Sequence, residues 1–298
     1  MTTRASPVRL FWWAPRRSLR LLAPEVRANP SAWVRLMRGP GRPLTNFGDE
    51  MSVMTVKLAT GRRVVWSSPA KADLVAIGSV LELCFYEGFR GQIWGSGLRH
   101  GSGNWSAPDH LTERVLAVRG PKTRDALGLG DSVPLGDPGL LAASLLGPGR
   151  SGPRRKLFVP HFRTWASPEG LDSIRHLHRQ GFEVASPTLK PKDLIRKVAG
   201  ASMLVTSSLH GLIVAHSLGT PVQLVTVGRR LDQEPDFKFE DHVAAIGVSH
   251  VPIEWSAVNG STEFNTLMDI RAAEASSIVK RAESLSEGLL TASENLKS

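Results

Sequence analysis

The chain has 298 residues, of which 41% are apolar and 21% charged, and this length and usage predict a globular protein of two domains. The single cysteine, Cys84, excludes an internal disulfide and favours a reducing compartment, and no apolar stretch approaches the ~20 residues of a membrane span. The net charge of +10 suits nucleic acid, an anionic membrane or an acidic small substrate, but its spread over short clusters argues against a dedicated basic tail.

The N-terminal segment is basic and partly aromatic, but it has no apolar run of about seven residues and no small-residue cleavage site. We therefore expect no signal peptide and a cytoplasmic location. Leu10 to Trp13 are predicted as an edge or first strand. Trp12 and Trp13 beside arginines also suit an interface, which leaves peripheral contact with the inner face of a membrane open. The segment between Trp13 and Asn46 is rich in proline and arginine and receives no assignment.

The rest of the first half alternates less clearly between helix and strand. A helix is predicted to begin at NFGDE, and the further strand candidates, each ending in small residues, are RRVVWSS, DLVAIGS, QIWGSG and RVLAVRG. The clearest break follows from Gly147 to Lys156, where glycine, proline and positive charge are concentrated. We therefore predict two domains, 1–148 and 149–298.

The second half alternates strand and helix more clearly. A strand is predicted to end at His161, and a helix with a Ser167 cap is predicted to end at Gly181. The segments FEVASP, KDLIRKVAGA, SMLVTSS, LHGLIVAHSLG and PVQLVTV continue the alternation, and the chain after Trp255 is helical. Short continuous apolar strands predict a parallel sheet covered on both faces. The fold class is therefore α/β, with two Rossmann-like domains arranged as in B-type glycosyltransferases and a ligand cleft between them.

The strongest candidate site is the strand-to-helix junction in SMLVTSSLHGL, because free N–H groups at a helix start favour an anion. Ser207 and Ser208 are predicted to cap this helix and contact phosphate oxygens. His210 is predicted to point into the cleft, and Gly211 to let a ligand approach. Spacing alone also allows Ser207 and Ser208 to be plain caps and His210 a junction residue. His216 lies on another helix face, so we expect no metal pair.

The chain resembles the polysaccharide pyruvyl transferases, especially the bacterial exopolysaccharide type. Seven segments carry the resemblance in order: NFGDE (46–50), IGSVLE (77–82), IWGSG (93–97), AVRGPKTRDALG (117–128), GDPGLL (136–141), SSLHGLIVAHSLGTP (207–221) and FKFEDHVAAIG (237–247). The resemblance implies transfer from phosphoenolpyruvate to a saccharide or lipid-linked saccharide, forming a pyruvate ketal. It implies no metal or other cofactor and no nucleic acid partner.

Such a transfer requires an acid near the methylene carbon of phosphoenolpyruvate and cations for its carboxylate and phosphate. Histidine suits the acid role and arginine the anions. In the resemblance His210 is the acid and Arg119 contacts phosphoenolpyruvate, with Lys122, Arg124 and Lys238 as further cations. Two of these cations have an alternative without a role in binding: Arg124 would lie on a solvated helix face, and Lys238 would be a surface lysine.

One position departs from the family pattern. Part of the family has arginine two residues before the histidine, where this chain has Ser208. The missing anion contact is then absent or supplied by Lys238 or Arg229, and the identity of the donor stays open.

The first domain adds candidates for sugar binding and base catalysis. Asn46 and Asp49 are predicted to bond sugar hydroxyls or to cap a helix, and Gly48 to allow close approach. Asp137 is predicted as a base or hydroxyl-orienting group, with a capping role as the alternative. Three residues of the strand end IWGSG are predicted to contact the ligand: Gly95, Ser96 and Gly97.

Two other functions stay open on sequence grounds. A nucleotide-sugar glycosyltransferase has the same predicted architecture, and Glu240 and Asp241 are its candidates for binding the ribose or base. A nucleic-acid binder is suggested only by charge, and the one cluster of basic and aromatic residues lies between Arg9 and Arg16.

Overall fold

The computed structural model describes residues 6–103, 108, 111–147, 154–228 and 235–297. It contains two five-stranded sheets, ordered β2-β1-β3-β4-β5 and β10-β9-β8-β6-β7. The first sheet comprises Val8–Phe11 (β1), Val64–Trp66 (β2), Leu74–Val75 (β3), Gln92–Trp94 (β4) and Val115–Ala117 (β5). The second comprises Arg155–Val159 (β6), Phe182–Val184 (β7), Ala201–Thr206 (β8), Val222–Thr226 (β9) and Ile253–Glu254 (β10). Every strand pair is parallel, which confirms the α/β class and is consistent with two Rossmann-like units.

Helices connect the strands. They are Leu19–Ala28 (α1), Pro30–Met37 (α2), Phe47–Thr60 (α3), Leu81–Tyr86 (α4), Pro121–Ala126 (α5), Ala142–Leu146 (α6), Pro168–Arg179 (α7), Pro191–Ala199 (α8), Leu209–Leu218 (α9), Asp236–Ile246 (α10) and Thr262–Ala292 (α11). The Ser167 cap is confirmed, because its hydroxyl accepts a 3.0 Å hydrogen bond from the backbone N–H of Gly170. Asn46 caps α3 in the same way, accepting from Gly48 N at 3.1 Å.

Two local predictions differ from the structure. The strand predicted to end at His161 ends at Val159, and His161 instead caps the 3-10 helix Phe162–Trp165 by accepting from Arg163 N at 3.4 Å. The segment without an assignment contains α1 and α2. Trp12 is only 3% exposed, and Trp13 stacks on Trp33 and Phe162, so these tryptophans do not form an exposed membrane-facing pair.

Helix α9 lies at the centre of the molecule. All of its residues from Leu209 to Leu218 are buried, and it is apolar on every side, as a helix enclosed by other elements must be. It packs against α6, α8, α11 and the 3-10 helix Pro138–Leu141. Burial of this helix fixes the position of His210 in its first turn.

A buried ion pair joins the end of β5 to α10. Arg119 and Asp241 are both fully buried, and the Arg119 Nε donates to Asp241 Oδ2 at 2.9 Å. The same carboxylate accepts from the backbone N–H and the hydroxyl of Thr123, at 2.9 and 2.7 Å. A β-carbon at Gly120 would lie 2.0 Å from the Asp241 carbonyl oxygen, so only glycine permits this approach. The ion pair therefore sets how α10 packs on the first sheet.

Helix α11 links the two sheets at the C-terminal end. Leu285 and Ile278 pack among residues of the second sheet, whereas the Leu289 carbonyl accepts from Trp94 Nε1 of β4 at 2.9 Å. The predicted boundary between residues 148 and 149 lies outside the described residues and stays a prediction. Within the described ranges, no helix has the length and apolar content needed to cross a membrane.

Removing the negative charge of Asp241 should destabilise the fold strongly. Asp241→Asn leaves the Arg119 guanidinium buried without a counter-charge, and we expect the free energy of unfolding to fall by about 3–5 kcal/mol. Glu240→Gln is the matched control, because Glu240 is next to Asp241 in the chain but forms an exposed ion pair with Lys122. This substitution should change the free energy of unfolding by less than about 1 kcal/mol. Urea unfolding of the three proteins measures the difference. Equal losses in both variants would contradict the role of the ion pair.

Candidate functional site

Two adjacent cavities open where strands of both sheets end. The central cavity has a volume of about 320 Å³, and its charged lining includes Asp49, Arg99, His161, Arg163, His210 and Lys238. The lateral cavity has a volume of about 480 Å³ and lies at the ends of β6, β8 and β9, with a lining that includes Asn29, Thr164, Ser207, Thr226, Asp236 and Phe239. His161 and Arg163 line both cavities. This position, beyond the carboxyl ends of parallel strands, is where α/β folds bind ligands.

His210 lies in the wall of the central cavity, as predicted, and is 8% exposed. Burial first, and then the charges of Lys238 and Arg119, lower the pKa of His210 to about 3. Its Nε2 has no hydrogen-bond partner within the described part of the chain. A β-carbon at Gly48 would lie 1.9 Å from the His210 Nδ1, so Gly48 makes room for the imidazole rather than for a ligand. The ring is therefore neutral at physiological pH in the unliganded protein.

Asp49 shares the central cavity with His210. It lies in the first turn of α3, next to the Asn46 cap, and both residues line the cavity. Burial, with the neighbouring Glu50 charge second, raises the pKa of Asp49 to about 8, although Lys238 acts in the opposite direction. Asp49 is therefore protonated at neutral pH, and it can donate a proton inside the cavity.

The cavity wall carries three cations, of which the sequence predicted only Lys238. Lys238 is 6% exposed and its Nζ lies 5.1 Å from the Phe239 ring centroid. Arg99 and Arg163 also line the cavity and were missed. Both follow the end of a strand within five residues, β4 for Arg99 and β6 for Arg163, so the rule about strand ends could have found them. Together the three side chains offer positive charge to an anion, although Glu82 and Glu25 line the same cavity and Glu25 interacts with Arg163 and Arg99.

Three predicted cations do not line either cavity. Arg119 has its guanidinium bonded to Asp241, to the Ser79 hydroxyl at 2.6 Å and to the Leu98 carbonyl at 2.6 Å. The other two form ion pairs at the surface: Lys122 with Glu240, and Arg124 with Asp131 at 2.8 Å. The expected contact of Arg119 with the donor is corrected, because protein groups already surround its buried guanidinium.

The predicted glycine contacts are packing contacts instead. A β-carbon at Gly211 would lie 2.4 Å from the Thr206 Oγ1, and one at Gly97 would lie 2.4 Å from the Arg119 Cζ. Gly95 has φ +82° and lies against Pro138, where a β-carbon would approach the ring to 2.3 Å. Ser96 is fully buried and donates to the Gly78 carbonyl at 2.8 Å. These residues support the site from behind and do not line its cavities.

The serines at the start of α9 have separate surroundings. The Ser207 hydroxyl accepts from His161 N at 3.0 Å and contacts the Thr164 hydroxyl at 3.2 Å on the side of the lateral cavity. Ser208 occupies the N-cap position and lines the central cavity, but its side chain makes no capping hydrogen bond. The prediction of side-chain caps is therefore wrong, whereas both residues do reach a cavity.

Asp137 takes the capping role that was the alternative for it. Its Oδ1 accepts from Gly139 N at 2.8 Å at the start of the 3-10 helix Pro138–Leu141. Burial raises the pKa of Asp137 to about 7, but this carboxyl group lines neither cavity. His216 lies on a different face of α9 from His210, as its spacing predicts, and its Nδ1 is 3.0 Å from the His242 Nε2.

Comparison with known proteins identifies relatives. A family model described as polysaccharide pyruvyl transferase matches residues 12–227. The succinoglycan biosynthesis protein ExoV of Rhizobium meliloti is 28% identical over 218 residues, which cover 70% of this chain and 63% of that protein. An uncharacterized protein of Acanthamoeba polyphaga mimivirus is 30% identical over 126 residues, or 39% of this chain and 41% of that protein. The chain thus spans less than two thirds of the length of either relative.

The neutral state of His210 can be measured directly. Because burial and nearby cations oppose its protonation, we expect its imidazole nitrogen signals in the unliganded protein to remain those of a neutral ring down to at least pH 5. A nitrogen-15 magnetic resonance titration measures this, with His210→Gln used to assign the signals. A ring that protonates between pH 6 and 7, near the value of about 6.5 for a free histidine, would contradict the geometry of the cavity.

Proposed function

The chain belongs to the polysaccharide pyruvyl transferase family, and we propose that it moves a pyruvyl group from phosphoenolpyruvate to two hydroxyls of a saccharide. One observation carries the proposal. A single cavity combines a histidine, a protonated carboxyl group and three cationic side chains. These are the groups that the reaction requires, and residues that follow strands of both sheets line the cavity.

The donor occupies the central cavity in this proposal. Phosphoenolpyruvate carries a carboxylate and a phosphate, which match the charges of Arg99, Arg163 and Lys238 on the cavity wall. Arginine binds both groups through its planar fork. In this proposal Arg99 and Arg163, together with the predicted Lys238, supply the charge that part of the family places at the position of Ser208. The other predicted candidate, Arg229, lies outside the described residues.

The reaction proceeds by proton addition to carbon. A proton added to the methylene carbon forms a methyl group and leaves an oxocarbenium-like centre at the neighbouring carbon. One saccharide hydroxyl attacks this centre and loses its proton. The second hydroxyl then forms a second carbon–oxygen bond while the bond to phosphate breaks, and its proton leaves with the phosphate. The products are a pyruvate ketal and hydrogen phosphate, and no electron is gained or lost.

In the proposed mechanism His210 acts as the general acid and Asp49 as the general base. In the unliganded cavity Asp49 holds a proton and His210 does not. The negative charge of the donor favours a protonated imidazole, because it offsets the charge of Lys238. A proton moved from Asp49 to His210 then gives an acid for the methylene carbon and a carboxylate base for a hydroxyl. Two groups whose pKa values are shifted in opposite directions suit such a pair of roles.

The acceptor occupies the lateral cavity. This cavity shares His161 and Arg163 with the central one, so the two cavities adjoin, and the proposal requires the acceptor hydroxyls to reach past these two side chains to the donor. Its wall combines hydroxyl, amide and carboxylate groups with one aromatic ring, which suits a sugar that has polar edges and an apolar face. The polar and aromatic lining groups are Asn29, Thr164, Ser167, Thr226, Asp236 and Phe239. No metal or further cofactor enters the proposed reaction, and that part stays a prediction.

A nucleotide-sugar glycosyltransferase is the competing function, and the position of the lateral cavity is compatible with it. Doubly wound folds bind nucleotides at the ends of such strands. Its two predicted ribose or base ligands are engaged elsewhere, because Asp241 pairs with Arg119 and Glu240 pairs with Lys122. The pyruvyl transfer is therefore the better supported function.

The test is a transfer assay with purified protein, phosphoenolpyruvate and a panel of saccharides. We expect phosphate release together with a pyruvyl mass gain on one acceptor, and a loss of rate of about 10²–10⁴-fold in His210→Gln. His178→Gln is the control, since His178 is an exposed histidine on α7. Thermal unfolding shows whether each variant keeps the fold.

Two outcomes would contradict the proposal. A His210→Gln variant that keeps most of the activity would remove His210 from the mechanism. No phosphate release with any acceptor, together with tight binding of a nucleoside diphosphate and none of phosphoenolpyruvate, would favour the glycosyltransferase.

A further inference from the structure

The helical segment that the sequence left unassigned carries most of the net charge of the chain. Residues 16–42 contain seven arginines and one glutamate, a net charge of +6 out of +10 for the whole chain. The glutamate, Glu25, is half-buried in the wall of the central cavity. Arg16 pairs with Glu50 and Arg20 with Glu87 of other segments, so the remaining arginines carry the basic character of the outer surface. Such a local excess attracts an anionic surface.

The same segment exposes large apolar side chains. Leu19 is 81% exposed, Met37 55%, Val34 49% and Val26 37%. Isolated exposed apolar residues are ordinary, but four within two consecutive helices joined by Asn29 alone form a local concentration. The surface is therefore basic and apolar together.

Helical spacing sorts these side chains onto outward faces. In α1, Leu19, Ala23 and Val26 fall on one stripe, with Arg20 and Arg27 directly beside it. All of these residues are exposed, whereas the opposite side of the helix is half-buried. In α2 the exposed Val34 and Met37 lie in the same way next to Arg38. We name these exposed residues the outer face: Leu19, Arg20, Val26, Arg27, Val34, Met37 and Arg38.

The inner side anchors the pair of helices, through α2, to the 3-10 helix Phe162–Trp165 and to Ala166, which follow β6. Trp33 stacks on Phe162 at 5.5 Å, and the Arg35 guanidinium donates to the Trp165 carbonyl at 2.7 Å. The Ser31 hydroxyl donates to the Ala166 carbonyl at 3.2 Å. The helices are therefore held in place from one side, while the outer face stays exposed.

We propose that the outer face docks the protein on an anionic membrane surface. Interfacial helices combine arginine or lysine with apolar side chains that enter the boundary between headgroups and acyl chains. Anionic lipid supplies the charge that matches the arginines. Nucleic acid also matches that charge, but it offers no apolar layer for Leu19 and Met37.

The proposed docking has a consequence for the lateral cavity. Ala28 and Asn29, at the end of α1, form part of the wall of that cavity. A membrane bound to the outer face would lie close to the opening through which an acceptor enters. An acceptor saccharide attached to a lipid would then be presented at the site, and this step rests on the proposed function whereas the docking itself does not.

Vesicle flotation of the full chain tests the docking without any activity measurement. We expect the protein to float with vesicles of phosphatidylcholine and phosphatidylglycerol, to release at high salt, and to stay unbound with phosphatidylcholine alone. Arg27→Gln with Arg38→Gln should weaken binding about thirtyfold. Its control is Lys57→Gln with Lys190→Gln, which removes the same charge from exposed positions elsewhere and should bind as the wild type does.

The apolar contribution is tested separately. Leu19→Ser with Val26→Ser should also lose vesicle binding, whereas Leu58→Ser with Ile270→Ser, at positions 44% and 48% exposed on α3 and α11, should not. Equal losses in test and control variants would overturn the assignment of the surface. So would absence of binding to anionic vesicles, or salt-sensitive binding to nucleic acid in its place. Because all substituted residues are exposed, each variant should unfold at the wild-type temperature, which serves as the folding check.

Discussion

The buried ion pair between Arg119 and Asp241 determines how the parts of the site come together. It joins the end of β5 to α10, and α10 carries Lys238 into the wall of the central cavity. A buried charge without its partner would lower the free energy of unfolding strongly. The end of β5 and α10 must therefore stay in contact for the fold to be stable. The resemblance to the family assigns Arg119 to the donor, but its contacts make it a positioning residue. It also influences the site at a distance, since its charge helps to keep His210 neutral.

The positive charges that line the central cavity favour an anionic ligand. Three cations line the cavity, and His210 is neutral because burial first, and then the charges of Lys238 and Arg119, lower its pKa. The carboxyl group of Asp49 is protonated because it is buried. A bound anion would offset the nearby positive charge and favour a protonated His210. The protonated carboxyl group of Asp49 would remain available as a proton source. In the proposed mechanism, binding of the anionic donor therefore favours the protonated state of His210 that the first step requires.

Local signals in the sequence predicted most of the fold, and contacts distant in sequence explain most of the errors. Apolar runs, the Ser167 cap and the Asn46 cap each depend on a few neighbouring residues, so the strands and helices were found. The Arg119 partner lies 122 residues away, and no local pattern shows that pairing. His210 and Lys238 reach the cavity as predicted, but Arg163 does so only because β6 ends before His161. Helices α1 and α2 were missed because arginine and proline obscure their periodicity, with Pro24 inside α1.

Separation of donor and acceptor into two cavities is the central claim of the proposed function, and steady-state kinetics test that separation directly. Lys238→Gln should raise the KM for phosphoenolpyruvate roughly tenfold and leave the KM for the saccharide unchanged, because it removes one charged contact in the central cavity. Asp236→Ala, at an exposed position in the lateral cavity, should raise only the KM for the saccharide. A change in the same substrate's KM in both variants, or the opposite assignment, would contradict the two-cavity account.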